Sequence, residues 1–129
     1  MTDTMKSMKT ALLLIAHGSR QAEANADLHA LAAELRASGE YAIVEPAFLE
    51  LAEPTIETAG RACVDAGAEC VILVPYFLSA GVHVRRDLEE HRDRLSQVHP
   101  GIRFVLAAPL GPHPLLREIV LQRAREAAK

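Results

Sequence analysis

Tryptophan is absent, and the aromatic residues together make up 4% of the 129-residue chain, so any core must be built from aliphatic side chains. Cysteine is scarce as well. Cys63 and Cys70 are the two present, in no CxxC pair, which excludes a disulfide scaffold and a four-cysteine zinc site. Positive charge is not in excess: fourteen Lys and Arg stand against seventeen Asp and Glu, a net charge of −3. That argues against a nucleic-acid binder, which carries a basic surplus. Long apolar runs are missing. The longest, Ala11 to Ala16, is six residues, too short to cross a bilayer, and no signal-peptide pattern is visible, so no membrane contact and a cytoplasmic location are expected. A glycine-rich phosphate loop is missing too. Gly18 stands alone after the first apolar run, with neither a GxGxxG nor a Walker pattern, so no nucleotide cofactor is expected. Ser19 lies in no GxSxG elbow.

What is present is an alternation. Half the residues are apolar and 24% are charged, the balance of a soluble globular chain of one domain. Residues 1–9 are polar and patternless and read as a disordered tail, leaving a single domain over 10–129. Ala11 to Ala16 is a continuous apolar run, as expected of a strand buried on both faces. Ala24, Leu28, Leu31, Ala32 and Leu35 form a helical stripe that ends at Ser38-Gly39. A second strand spans Ala42 to Leu49; Pro46 inside it cannot donate to a ladder, which predicts an edge position. Pro54 suits the first turn of a helix whose inner stripe is Ile56, Ala59, Gly60 and Cys63. Cys70 to Val74 is a third strand. A charged helix opens at His83 and runs to about Val98, where Pro100-Gly101 ends it. Ile102 to Ala107 is a fourth strand, and a last helix carries Leu116, Ile119 and Val120 inward. The order βαβαβαβα predicts a three-layer α/β domain: a four-stranded parallel sheet with helices on both faces.

In an open parallel sheet, ligands bind beyond the carboxyl ends of the strands. The residues just after each strand are therefore the informative ones: His17, then Glu50, then Gly81, His83, Arg85 and Arg86, then His113. His17, Glu50 and His83 recur at intervals of 33 residues, one per βα unit, which brings them to one edge of the sheet. Two imidazoles and a carboxylate suit a divalent ion such as cobalt, nickel, iron or zinc. The same groups accept protons near neutral pH, so ligand and base roles both stand open. A lone loop histidine is ordinarily a solvated side chain; three coordinating groups at successive strand ends point to a shared site. His29, His91 and His99 read as surface residues, Cys63 and Cys70 as small core hydrophobes, and Glu89, Glu90, Arg92 and Arg94 as a solvated helix face. Glu53 either favours a helix N-terminus through its dipole or joins a site.

Four segments carry a resemblance: Leu14-Ile-Ala-His-Gly-Ser-Arg20, Pro46-Ala-Phe-Leu-Glu50, Val74-Pro-Tyr-Phe-Leu-Ser-Ala-Gly-Val-His83 and Pro109-Leu-Gly-Pro-His-Pro114. They resemble the CbiX/SirB family of sirohydrochlorin chelatases, in its small single-domain form, over nearly all of the chain after residue 9. The HGSR loop alone is weakly specific; the strand-end Glu followed by PYFLxxGxH is specific. The resemblance implies a chelatase-like fold with strand two at an edge. It implies ATP-independent insertion of a divalent metal, Co²⁺ or else Fe²⁺ or Ni²⁺, into sirohydrochlorin in cobalamin or siroheme synthesis. The family's metal-site histidines match His17 and His83, and its acidic position matches Glu50. Arg20, Ser79, Gly81 and His113 match motif positions expected to bind substrate. Arg85 and Arg86 beside the site would pair with the carboxylates of the tetrapyrrole, which guanidinium does bidentately; plain surface charge is the other reading of both. A homodimer is expected, because a tetrapyrrole needs walls on both sides and one small domain offers one concave edge. The alternative in another class is a non-catalytic carrier of metal or tetrapyrrole. A histidine phosphatase, where His also follows strand one, would resemble an RHG motif, but Ala16 precedes His17 here.

Overall fold

Alternating apolar runs and amphipathic stretches fold as their periods dictate. The computed structural model describes residues 9–129. Its elements are β1 (Thr10–Ala16), α1 (Ala22–Ser38), β2 (Ile43–Phe48), α2 (Ile56–Asp65), β3 (Cys70–Pro75), α3 (Val82–Val98), β4 (Arg103–Leu106) and α4 (Pro114–Ala128). The strands form one parallel sheet in the order β2-β1-β3-β4. β2 is thus an edge strand, as Pro46 requires, and Pro46 pairs with Leu14. The Arg36 guanidinium reaches from α1 to the Val44 carbonyl and so occupies a group that an edge strand leaves open. The tail expected over 1–9 falls, for residues 1–8, outside the described residues. Lys9 itself is tied down: its N–H donates to Glu69 Oε1 at 3.0 Å and its carbonyl accepts from Glu69 and Cys70.

Two cores sandwich the sheet. On one face Ala11, Leu13, Ile15, Val71 and Leu73 pack against Ile56, Ala59 and Cys63 of α2 and Leu88 and Leu95 of α3. On the other, Leu14, Val44 and Phe48 pack against Leu28 and Ala32 of α1. Both cysteines are free and buried, the small hydrophobes the sequence suggested, and burial pushes the Cys63 thiol up to about 12. Among the described residues no helix is long and apolar enough to cross a membrane.

Three sequence expectations change. The α2 helix begins at Ile56, not at Pro54: Thr55 is its N-cap, with Oγ1 accepting from the Thr58 N–H at 3.1 Å, and the Pro54 carbonyl accepts instead from Phe48. The last helix does not turn Leu116, Ile119 and Val120 inward. None of its residues is buried, and Ile119 and Val120 are 49% and 65% exposed. Nor is His91 a plain surface residue. Its side chain is 19% exposed and its Nδ1 lies 2.5 Å from Glu57 Oε2, which also accepts from Arg94 at 3.1 Å. His29 is exposed, as expected, and lies beside the Phe48 ring, while His99 is half-buried beside Phe104.

The Glu57 cluster ties α2 to α3. Partial burial would raise the carboxyl's pKa, but the His91 hydrogen bond, the bond from its own main chain and the charges of His91 and Arg94 outweigh that and hold it below 4.5. A depressed carboxyl stabilises the fold above its unfolded value and loses that stabilisation as pH falls through its folded value. Glu57→Gln should therefore be less stable than wild type near neutral pH, and the gap should close as pH drops below 4.5. Because Glu57 is 41% exposed, water screens the cluster and the gap should be about 1 kcal/mol at most. Urea unfolding at several pH values measures it.

Candidate functional site

The carboxyl ends of β1 and β2 are sewn together past the last ladder pair. The Leu49 N–H donates to the Ala16 carbonyl and the Glu50 N–H to the His17 carbonyl, at 2.9 and 3.0 Å. This stitch needs Gly18. Its φ is +102°, and a Cβ built there would lie 1.8 Å from the Glu50 carbonyl oxygen, closer than any side chain is tolerated. With the two loops so close, His17 Nε2 comes 3.4 Å from Glu50 Oε1, and both side chains are more than half exposed.

β3 completes the arrangement from the other side. Tyr76 N–H donates to the Ile15 carbonyl, which places Phe77 edge-on to the His17 ring with centroids 5.9 Å apart. The imidazole is held between an aromatic edge and a carboxylate. Ser19 locks the loop to α1: its N–H donates to Asn25 Oδ1, its carbonyl accepts from Asn25 Nδ2, and its Oγ accepts from Gln21. The hydroxyl thereby ties down Gln21, the N-cap of α1, which makes no side-chain cap of its own.

The remaining candidates spread along the same edge of the sheet. His83 is the second residue of α3, and its side chain is exposed and not drawn into the His17–Glu50 pair. Among the described residues no three His, Cys, Asp or Glu side chains come together closely enough to hold an ion. The structure thus joins two members of the expected trio. Ser79 and Gly81 lie in the exposed β3–α3 loop, and Gly81 is the N-cap of α3. Arg85 lines a hollow of about 230 Å³ at the ends of β3 and β4, with Pro75, Ala80, Leu88 and Pro109. Arg20 and Arg86 are exposed. His113 acts locally as the N-cap of α4, and its Nδ1 accepts from the Leu115 N–H at 3.1 Å. The segments that follow β2 and β3 also expose apolar side chains, Leu51, Tyr76, Leu78 and Val82.

Sequence reasoning passed over Gly18, Phe77 and Asn25. Gly18 and Phe77 lie inside the HGSR and PYFLxxGxH motifs, so a search for groups that support His17 would have reached them. Nothing in the sequence marks Asn25.

A parallel sheet whose adjoining strand ends present an imidazole and a carboxylate to solvent defines an α/β protein with a polar site beyond its strand ends. The chain belongs to the CbiX family, whose model matches residues 11–127. The chloroplastic sirohydrochlorin ferrochelatase of Arabidopsis thaliana is 38% identical over 112 residues, covering 87% of this chain and 50% of that protein. The sirohydrochlorin cobaltochelatase of Methanopyrus kandleri is 31% identical, covering 91% of this chain and 96% of that one. Among solved structures, the sirohydrochlorin chelatase SirB from Bacillus subtilis subspecies spizizenii in complex with cobalt superposes with a TM-score of 0.85 at 34% identity, covering 92% of this chain and 51% of that chain. The chain spans about half the length of the first and third of these and nearly all of the second. The expected chelatase-like fold is the observed one.

Gly18→Ala tests the stitch. The methyl group must displace the Glu50 carbonyl and a positive φ must be held by an L side chain, so the variant should lose about 1–3 kcal/mol. It should also weaken binding of a probe Co²⁺ ion, read from the visible absorption of the bound metal. Gly101→Ala, where a Cβ meets nothing within 4 Å, should be near neutral in both measurements.

Proposed function

We propose that this chain inserts a divalent metal ion into sirohydrochlorin without ATP. The observation that carries the reading is the His17–Glu50 pair at adjoining strand ends, set in the fold of a family whose named relatives are sirohydrochlorin chelatases. Insertion replaces two pyrrole N–H protons with one M²⁺, so the site must give up an ion and take two protons. Two side chains within 3.4 Å of each other can hold a hydrated ion from one side and leave its other positions to water. Such a hold is weak enough to release the ion. His17 then accepts a proton as the metal leaves, and His83, at the start of α3, serves as a second acceptor or a third ligand once substrate is bound. We favour Glu50 as a ligand, because the imidazoles already offer proton acceptors while a loosely held cation gains from a negative charge.

The substrate's chemistry fits the surroundings. The apolar faces of a macrocycle suit Leu51, Tyr76, Leu78 and Val82, and its carboxylates suit Arg20, Arg85 and Arg86. Ser79 and Gly81 would offer a hydroxyl and main-chain groups from the β3–α3 loop. His113, already bound at Nδ1, would offer Nε2 to a substrate carboxylate. Cobalt, iron and nickel all suit one imidazole–carboxylate set; Co²⁺ and Fe²⁺ are the ions we expect, in cobalamin or siroheme synthesis. The setting we assign is the cytoplasm, where the free thiols of Cys63 and Cys70 stay reduced. We further propose that two copies act together, each supplying one wall around the planar substrate.

Mixing the purified protein with sirohydrochlorin and Co²⁺ or Fe²⁺ tests this: the chromophore's absorbance should shift with turnover. Stoichiometric binding without turnover would replace the chelatase by a carrier. His17→Ala and His83→Ala should each lose most of the rate with an unchanged circular dichroism spectrum, while Gln97→Ala on the exposed face of α3 keeps it. Equal rates for all three would remove the site assignment. Glu50→Gln should weaken metal affinity, with excess metal restoring much of the rate; a loss on the order of 10² that metal does not rescue would make Glu50 the base. Arg85→Ala with Arg86→Ala should raise KM for sirohydrochlorin, by less at high salt.

A further inference from the structure

Glycine supplies the left-handed backbone wherever this chain needs it, with one exception. Gly18, Gly39 and Gly67 have positive φ, and among the described residues the one other that does is Leu51, at +66°. An L side chain there costs free energy that glycine escapes outright and asparagine largely escapes. The leucine side chain is 52% exposed, so burial returns little of that cost.

The neighbours impose this backbone. Leu49 packs against the α2–α3 core, and Ala52, three residues on, against the α1 core. The chain therefore crosses the end of the sheet from one face to the other through Glu50 and Leu51. Glu50 is held at both ends. Its N–H donates to the His17 carbonyl, and its own carbonyl lies against Gly18, in the space a Cβ would fill. The loop then returns at once to β2: the Pro54 carbonyl accepts from the Phe48 N–H, and Thr55 forms a bridge with Phe48. With both flanks fixed, the turn falls on Leu51, and the strain persists because the contacts around it over-determine it. Both side chains at the crossing are left in solvent, the Glu50 carboxylate 57% exposed.

Among the described residues Leu51 belongs to neither core, and glycine would meet the same backbone demand at lower free energy. Tyr76, Leu78 and Val82 are exposed as well, but none of them has a left-handed backbone. An apolar side chain that is both strained and solvated, next in sequence to the carboxylate that faces His17, calls for a ligand that covers it. We infer that Leu51 is the seat for the apolar face of the macrocycle: it binds the ring by burying its side chain there and takes no part in holding the metal. The face of a conjugated ring is carbon surface, which an isobutyl group complements by contact alone. The backbone that carries Leu51 is the one that carries Glu50, so ring and ion are referred to a single frame. The inference rests on the chelatase reading and deepens it by assigning recognition of the ring to one residue.

Leu51→Gly separates the roles, because it removes the side chain and relieves the backbone together. The variant should melt at the temperature of wild type or higher, since the relieved strain offsets the half-exposed side chain that is lost. It should bind Co²⁺ alone as wild type does. Its KM for sirohydrochlorin should rise about 5- to 10-fold, the scale for burying the exposed half of a leucine, with the effect on KM and not on kcat. Leu51→Met, which keeps apolar volume at the same place, should bring KM back to within about twofold of wild type. An unchanged KM would overturn the inference. So would a KM that methionine fails to restore, a lost Co²⁺ affinity or a melting point several degrees lower, because Leu51 would then shape the loop or the ion site and not seat the ring. A wild type that binds sirohydrochlorin without turnover would remove the chelatase reading alone, and the same difference would be read as Kd by titrating the chromophore. A wild type that does not bind it would remove both.

Discussion

The position of β1 between β2 and β3 governs everything at the functional edge. Ala11, Leu13 and Ile15 are fully buried on one face and Leu14 nearly so on the other, so this strand has no freedom to slip. A slip of one residue would send its whole apolar set to the wrong core. Its register with both neighbours therefore fixes where His17 emerges. The main-chain bonds that follow, Glu50 to His17 and Tyr76 to Ile15, carry that register past the strand ends into the loops. The loop after β4 is joined to the set in turn, through Leu110 and the Phe77 carbonyl. Four loops that are remote in sequence become one surface because their backbones continue the sheet's pairing where the sheet itself has stopped.

On the proposed reading, that surface holds its ion weakly. A structural metal site closes its coordination sphere with four protein ligands, whereas a site that must hand its ion on keeps positions open. Here the paired side chains are 55% and 57% exposed, and the nearby arginines are solvated. Rigidity comes from elsewhere, from Phe77 against the imidazole and Asn25 bracketing Ser19. On that reading placement is separated from affinity: the scaffold fixes how two donors are offered, while their low number would keep the binding reversible.

The fold was legible where a residue's physics admits one placement. The unbroken run of Ala11–Ala16 could only be an interior strand, Pro46 only an edge, and Ile56, Ala59, Gly60 and Cys63 only an inner stripe; the structure has all three. His17 and Glu50 were legible as neighbours because strand order brings β1 beside β2. Their actual contact was not, since it depends on a main-chain approach at Gly18 that no side-chain pattern encodes. His91 was misread because α3 looks charged all round; its contact with Glu57 crosses to another helix, and periodicity within one helix cannot register that.

The α4 stripe shows the same limit in a different form. Amphipathic spacing at Leu116, Ile119 and Val120 correctly says that this helix has an apolar face to cover, and it is silent on whose surface does so. Inside one chain the default answer is the chain's own sheet, and the half-bare face at Ile72 and Val105 is where that default would put it. What decides against the default is local and physical: the contact of Gly111 with the Leu78 carbonyl and the Leu110 bond to Phe77 aim the helix elsewhere. The same loops that assemble the functional edge therefore determine that the fold is not closed by its own last helix. Placement of the site and the exposure of the last helix follow from one set of main-chain contacts.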